Sequence, residues 1–175
     1  MDHDLDRYVT EETLHDGTPY VIRPIRADDV NRFERLFRAF SRETTYFRFM
    51  APLERMPRAI LESFCNIDYD REFALVAEVR LARRREFIGV TRYLREEQPP
   101  GSAQIMLVVA DGWTNRGAGR TLYRRLVAAA RDHGIRTMSG LILESNCKMI
   151  SMLVNSEFRI SSHIENDLFA FSFDI

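Results

Sequence analysis

The sequence predicts an α+β fold, a mixed and mostly antiparallel sheet flanked by helices, and three observations carry that prediction. Strand-like and helix-like segments are interleaved with several hairpin signals, the element order of an antiparallel sheet covered by helices. One stretch, Ala103 to Gly134, reads as a strand, a loop and a helix in succession. The chain has 175 residues, 45% of them hydrophobic, enough to bury one good core, so a single domain over residues 1–175 is expected.

The elements follow in order. Residues 1 to 7 are polar and acidic, and are expected to be disordered. Tyr8–Leu14 and Tyr20–Ile25 read as two strands joined by the turn His15-Asp16-Gly17, with Pro24 marking an irregular end or edge. A helix is expected over about Asp28–Phe40, with Val30, Phe33, Phe37 and Phe40 on one stripe and Leu36 beside it. Asp28 and Asp29 suit its first turn. Ser41–Met50 is rich in aromatic residues and arginine, and is either a wall of an acceptor groove or a helix burying its aromatics. Met56–Cys65 reads as a short helix starting near Pro57. Phe73–Val79 and Phe87–Leu94 are strands, and the arginines between them, Arg80, Arg83, Arg84 and Arg85, suit a solvated hairpin turn. Gln98 to Ser102 is a loop. Beyond the central unit come a strand over Thr137–Leu143, a helix over Lys148–Asn155, and a closing hairpin, Phe158–Ile164 and Leu168–Phe173, turning at Glu165-Asn166-Asp167.

Composition bounds the function. The formal net charge is −1, from 25 basic and 26 acidic residues, which offers no footprint for nucleic acid or an anionic membrane. Cys65 and Cys147 lie far apart without metal-ligand spacing, so two buried or semi-buried free thiols in a reducing compartment and no metal are expected. The opening residues lack the apolar run of a signal peptide, and no stretch has the length of a membrane span. A cytoplasmic protein is the reading.

The central unit carries the chemistry. Ile105–Ala110 is an unbroken apolar run of strand length. From Arg120, Leu122, Leu126, Val127 and Ala130 form one helical face, and Gly134 stands where a helix C-terminus favours a left-handed residue. Gly117 and Gly119 leave the loop backbone open to close approach, just before a helix N-terminus whose free N–H groups and dipole favour an anion. Arg116 and Arg120 add cationic donors, so a pyrophosphate is one occupant of such a loop; a tight strand-to-helix turn with solvated arginines is the other reading. Gly119 is followed by Arg120-Thr121 rather than Lys-Ser/Thr, which excludes a P-loop, and Leu122 stands where a dinucleotide fingerprint needs glycine.

This stretch resembles the GNAT superfamily of acetyltransferases, whose cofactor motif is Gln/Arg-x-x-Gly-x-Gly/Ala. Here it is Thr114-Asn115-Arg116-Gly117-Ala118-Gly119: the glycines match and Thr114 departs. Asp111-Gly112-Trp113 and Leu143-Glu144-Ser145-Asn146 are also similar. Ile22 to Asp29 and Asp68 to Glu72 resemble a narrower group, the GNAT module of bacterial protein lysine acetyltransferases. The likeness runs over roughly Leu14–Phe158. It implies two central parallel strands that splay apart with acetyl-CoA in the split. It also implies that Leu107, Val108 and Val109 end a bulged central strand, pairing through the backbone with the pantetheine arm and polarising the thioester. By the same resemblance Arg116 to Arg120, including Ala118, would hold the pyrophosphate, Thr114 would also touch the cofactor, and Asn146 would contact the pantetheine, although Asn146 also suits a helix N-cap.

The resemblance raises a difficulty over the base. The lysine-specific group places a glutamate near the start of the central strand; here Gln104 stands there, in Ala103-Gln104-Ile105-Met106. Gln104 can orient a water or an amine but cannot accept its proton. The group's acid, a tyrosine, is replaced by Leu153. Glu78, Tyr93, His133, Glu144 and Cys147 are stand-ins by residue type alone. Two readings follow from the resemblance: an acyltransferase moving acetyl from acetyl-CoA to a primary amine, with a protein lysine as leading acceptor, or a weakly catalytic sensor that binds acetyl-CoA and reports to a partner, for instance as half of a homodimer. A third ignores the resemblance: a small α+β domain whose loop takes some other phosphate ligand.

Overall fold

The computed structural model describes residues 4–82 and 84–175. They form an eight-stranded sheet in the order β1-β2-β3-β4-β5-β6-β8-β7. The strands are β1 (Thr10–Thr13), β2 (Pro19–Pro24), β3 (Glu72–Leu81), β4 (Arg84–Arg95), β5 (Ser102–Val109), β6 (Thr137–Leu143), β7 (Ser161–Glu165) and β8 (Leu168–Asp174). The helices are α1 (Val30–Arg38), α2 (Arg42–Phe49), α3 (Arg58–Cys65), α4 (Ala118–Asp132) and α5 (Cys147–Val154). All pairs are antiparallel except β5 with β6.

Turn chemistry sets the hairpins. Gly17 takes φ 86° between β1 and β2, and the Asp16 carboxylate accepts the Thr18 N–H at 3.0 Å. Asn166 and Asp167 both take positive φ, 50° and 62°, the two-residue hairpin geometry that follows the twist of the strands. Two apolar layers cover the sheet. One joins α4 and α5 to the face carrying Phe73, Ile105 and Phe171. The other joins α1 and α3 to the face carrying Val76, Val90 and Val108.

Several sequence expectations need correction. Of residues 1 to 7, residues 1–3 lie outside the described residues, while Leu5–Tyr8 form a 3-10 turn rather than a disordered end. Tyr8 anchors it, packing edge-on against Phe73 at 4.9 Å. The helix expected from Asp28 begins at Val30, after a 3-10 turn over Ala27–Asp29. The central helix starts at Ala118, two residues before the expected Arg120, because Gly117 in the left-handed region turns the chain sharply into it. Arg83 of the expected turn lies outside the described residues, and Arg84 and Arg85 are strand residues. Cys65 is buried, which pushes its thiol up to about 12, but Cys147 is exposed at the start of α5.

The α1/α3 face also hides an ionic cluster. Asp29 is 0% exposed, Glu78 4% and Arg23 7%. The Arg23 guanidinium donates to both Asp29 oxygens at 2.7 and 2.8 Å and to Glu78 at 3.0 Å. Arg32 also binds Asp29, Arg85 reaches Glu78 at 3.2 Å, and the Arg26 N–H donates to Asp29 at 2.9 Å. Burial alone would raise the Asp29 carboxyl; Arg23, the Arg26 N–H and Arg32 outweigh it and hold it below its ordinary value. This network fastens α1 to the outer half of the sheet.

Candidate functional site

The feature that makes a site is the parting of β5 from β6. They pair only at Ser102–Thr137, Ala103–Met138 and Gln104–Ser139, while β5 stays paired to β4 as far as Val109. Gly140 follows the last pair, and Phe171 of β8 lies across the space its missing side chain leaves. The Ala110 N–H donates to Ile88 of β4 at 2.8 Å. Alternate residues of an antiparallel pair turn their backbone groups to opposite edges. Leu107 and Val109 therefore present N–H and C=O groups toward the split. The bulge implied at Leu107–Val109 is absent: β5 keeps unbroken register with β4. The irregularity sits one pair away, between β3 and β4 at Ala77/Glu78.

Beyond Val109 the chain makes a 3-10 turn over Asp111–Trp113 and enters α4. Asp111 ties this turn to α2, accepting from the Ser41 N–H at 2.8 Å, the Ser41 hydroxyl at 2.9 Å and the Thr44 hydroxyl at 2.8 Å. These donors outweigh its partial burial and hold its carboxyl below the usual range. Asn115 and Gly117 take positive φ, 61° and 96°. The Thr121 N–H donates to the Gly117 carbonyl at 3.1 Å. The N–H groups of Ala118, Gly119 and Arg120 precede that bond and have no helical acceptor, so they and the helix dipole form an anion-favouring end.

A cleft of about 520 Å³ runs from this end into the split. It is lined by Leu107, Val108, Val109, Thr114, Gly117, Gly119, Arg120 and Asn146 among the residues expected from sequence. Asn146 also caps α5, accepting from the Met149 N–H at 3.3 Å, as its N-cap reading expects. The Ser41–Met50 segment holds the helix α2, whose Glu43, Thr44, Phe47 and Arg48 form a wall of the cleft.

Two expected residues are placed differently. Ala118 is buried and can offer only its backbone. Arg116 turns away from the cleft, bonded to Asp16 at 3.0 Å and lying over the Trp113 ring at 4.9 Å. A neighbour unseen in the sequence stands in its place: His15, at the β1–β2 turn, whose N–H donates to the Arg116 carbonyl at 3.0 Å and whose ring lines the cleft against Gly117. Sequence showed that turn only as a hairpin signal, since nothing local marks a contact across 100 residues.

Gln104 is exposed, outside the cleft lining, and its amide donates to Glu96 at 3.0 Å. The stand-ins for a base sit elsewhere. Glu78 belongs to the buried ionic cluster. Tyr93 bonds His133 at 2.6 Å, and the other His133 nitrogen meets the Tyr8 hydroxyl at 2.8 Å, a structural pairing below the sheet. Glu144 is exposed outside the lining, and Leu153 is buried. Cys147 alone of those stand-ins lines the cleft. Among the described residues no cluster of three or more His, Cys, Asp or Glu could hold a metal, and no helix is long and apolar enough to cross a membrane.

Comparison with known proteins gives this geometry its context. The model of the Acetyltransferase (GNAT) family matches residues 33–155. An acetyltransferase of Pseudomonas aeruginosa is 31% identical over 140 residues, 79% of this chain and 74% of that protein. Acetyltransferase Pat of Mycolicibacterium smegmatis is 30% identical over 134 residues, 76% of this chain but 39% of that longer protein. Among solved structures, the GNAT domain of S. lividans PAT superposes with a TM-score of 0.87 at 27% identity, covering 97% of this chain and 98% of that one. A Vibrio cholerae spermidine N-acetyltransferase, solved with CoA and spermine, shares the fold at a TM-score of 0.71 and 17% identity, over 89% of this chain and 95% of that one. The splayed strands, the Gly117–Gly119 helix entry and these matches lead to one conclusion: the chain belongs to the GNAT family of acetyltransferases.

Proposed function

We propose that this N-acetyltransferase takes acetyl-CoA as its donor and a primary amine as its acceptor, with a protein lysine the leading candidate. The observation that carries the reading is the cleft itself. An anion-favouring helix end opens directly onto a strand edge whose backbone groups are free to pair with an amide-bearing arm. In this assignment the N–H groups of residues 118–120, with Arg120 and Thr114, hold the pyrophosphate. Leu107 and Val109 pair with the pantetheine, and Asn146 contacts it from the other wall. The neutral amine attacks the thioester carbon, and a β5 N–H facing the split stabilises the developing oxyanion. As the C–S bond breaks, the proton lost by the attacking nitrogen passes to the leaving thiolate, directly or through water, releasing CoA as its thiol.

Thermal unfolding with saturating acetyl-CoA tests the reading. Ligand at about 100 times its dissociation constant adds roughly 2.7 kcal/mol, a rise on the order of 5–10 °C for a chain of this size. No rise in a folded protein would overturn it.

A second reading, a weakly catalytic acetyl-CoA sensor, is favoured by Gln104, whose amide is turned to Glu96 rather than to the cleft. A lysine with a pKa of about 10.4 is neutral in roughly one molecule in a few thousand at pH 7, and general base catalysis contributes about 10²–10⁴-fold. Gln104→Glu sets two carboxylates side by side, which raises the pKa of one of them. The expected result is acetyl transfer to a lysine peptide about 10²-fold faster, with acetyl-CoA affinity held. An unchanged rate would show that a base at another position already acts.

A further inference from the structure

The acceptor-side wall of the cleft contains a charge without a counterion. Arg48 sits in the last turn of α2 and lines the cleft near Phe47 and Val108. Among the described residues it has no ion pair or hydrogen bond; its guanidinium lies over the Phe49 ring at 4.9 Å. Glu43, the acidic residue of α2 in the same cleft, makes no ion pair with it. The charge that acts on Arg48 is another arginine, Arg92. Arg92 is buried on β4 and already committed, to Glu72 at 3.3 Å and to the Phe64 carbonyl at 2.6 Å. Burial, with the repulsion of Arg92, pushes Arg48 down to about 10.

Arg48 is half-buried in this wall; of the carboxylates lining the same cleft, Glu43 makes no ion pair with it and Asp111 is taken by Ser41 and Thr44. Buried charges are ordinarily paired, because an unpaired one forfeits its hydration for nothing in return. The other arginines on this side of the sheet obey that rule: Arg23 has Asp29 and Glu78, and Arg92 has Glu72. Arg48, half-buried where it faces the cleft, has no such partner among the described residues. A planar guanidinium with free donors fits a carboxylate in bidentate fashion.

Resting on the acyl-transfer reading above, we propose that Arg48 is a specificity-determining residue that receives a carboxylate carried by one of the two reactants. Either the acceptor presents an acidic group beside its amine, or the donor is a carboxyacyl-CoA. Arg48 is not a catalytic residue in this assignment; it selects what enters.

The test compares ratios, so that a general loss of affinity cancels. Protein saturated with CoA is titrated with a lysine peptide flanked by aspartate and with its asparagine isostere; separately, succinyl-CoA is compared with acetyl-CoA. In the wild type at least one ratio is expected to favour the carboxylate by about tenfold or more, the discrimination typical of a charged hydrogen bond. Arg48→Gln is expected to bring that ratio close to one, and Arg48→Lys, which keeps the charge and loses the fork, to retain only part of it. Should the glutamine variant fail to fold, the lysine variant carries the same comparison. A preference in the peptide arm assigns the carboxylate to the acceptor, and one in the thioester arm assigns it to the donor. Wild-type ratios near one in both arms, or a ratio that Arg48→Gln leaves intact, overturn the proposal. Arg48-dependent discrimination without transfer of either acyl group would instead defeat the acyl-transfer reading and leave carboxylate recognition standing.

Discussion

Gly117→Ala is expected to weaken acetyl-CoA binding by about 10- to 100-fold. Gly117 holds φ at 96°, where a residue with a side chain is strained. Such strain costs about 1–3 kcal/mol, and each 1.4 kcal/mol is about tenfold in affinity. A Cβ would also lie 2.7 Å from the His15 ring, so that side chain would have to move aside. In the free protein the loop can relax into another conformation, and the cost then falls on the ligand-bound form, which needs the N–H groups of residues 118–120 aligned. Two companion variants separate strain from approach. At Gly119 an added Cβ meets only Val109 at 3.5 Å and Leu107 at 3.9 Å, ordinary contact distances without a positive φ. Gly119→Ala should therefore lose affinity by less than about tenfold, through crowding of the ligand alone. Gly112→Ala meets nothing within 4 Å and is the control, expected to bind as the wild type does. Calorimetric titration of the three with acetyl-CoA decides the matter. Wild-type affinity in Gly117→Ala would remove this loop from the site.

The largest stability effect is expected from Asp29→Asn. The carboxylate is wholly buried and takes donors from Arg23, Arg26 and Arg32. Neutralising it leaves Arg23 beneath α1 with Glu78 as its remaining carboxylate partner. Breaking a buried pair from one side typically costs about 3–5 kcal/mol, a fall in melting temperature on the order of 6–20 °C for a chain of this length. Replacing Arg23, Asp29 and Glu78 together with apolar residues of similar volume should cost much less, because no orphaned charge remains. Chemical unfolding of both variants measures the contrast; equal losses would mean that shape, not charge, matters there. The sign of the pH dependence follows from the depressed Asp29 carboxyl. The unfolded chain binds that proton more readily, so the contribution is full above the ordinary value of 3.8 and fades as pH falls below it.

Periodicity made much of the fold readable, because strands and helices bury one face and so write their period into the chain. The run Ile105–Ala110, the stripe Val30-Phe33-Phe37 and the turn at Asn166-Asp167 all belong to that local grammar. Helix starts were read less well. α1 begins at Val30 after a 3-10 turn whose Asp29 carboxylate takes the Arg26 N–H, and α4 begins at Ala118 after a left-handed Gly117; hydrophobic periodicity marks neither start. The candidate cofactor residues were found through a motif, yet Arg116 within it is claimed by Asp16, which lies 100 residues earlier. Arg23 and Asp29 stood inside a recognisable motif, but only the fold shows that they meet Glu78 underneath the sheet. Arg48 looked like one more arginine among aromatics; its lack of a partner is a property of three dimensions.

The early parting of β5 from β6 has a consequence for the architecture as a whole. With three residue pairs joining them, the sheet is two wings on a short spine, β1–β5 on one side and β6–β8 on the other. Contacts such as that between Tyr123 of α4 and Phe173 of β8, with ring centres 6.0 Å apart, hold the wings from behind. In front, the rungs that would continue the ladder are supplied by no strand among the described residues. An extended, amide-bearing ligand entering the gap would serve as that strand for as long as it stays bound. Donor occupancy and the mechanical unity of the sheet are then one event, and release of the spent donor reopens the seam.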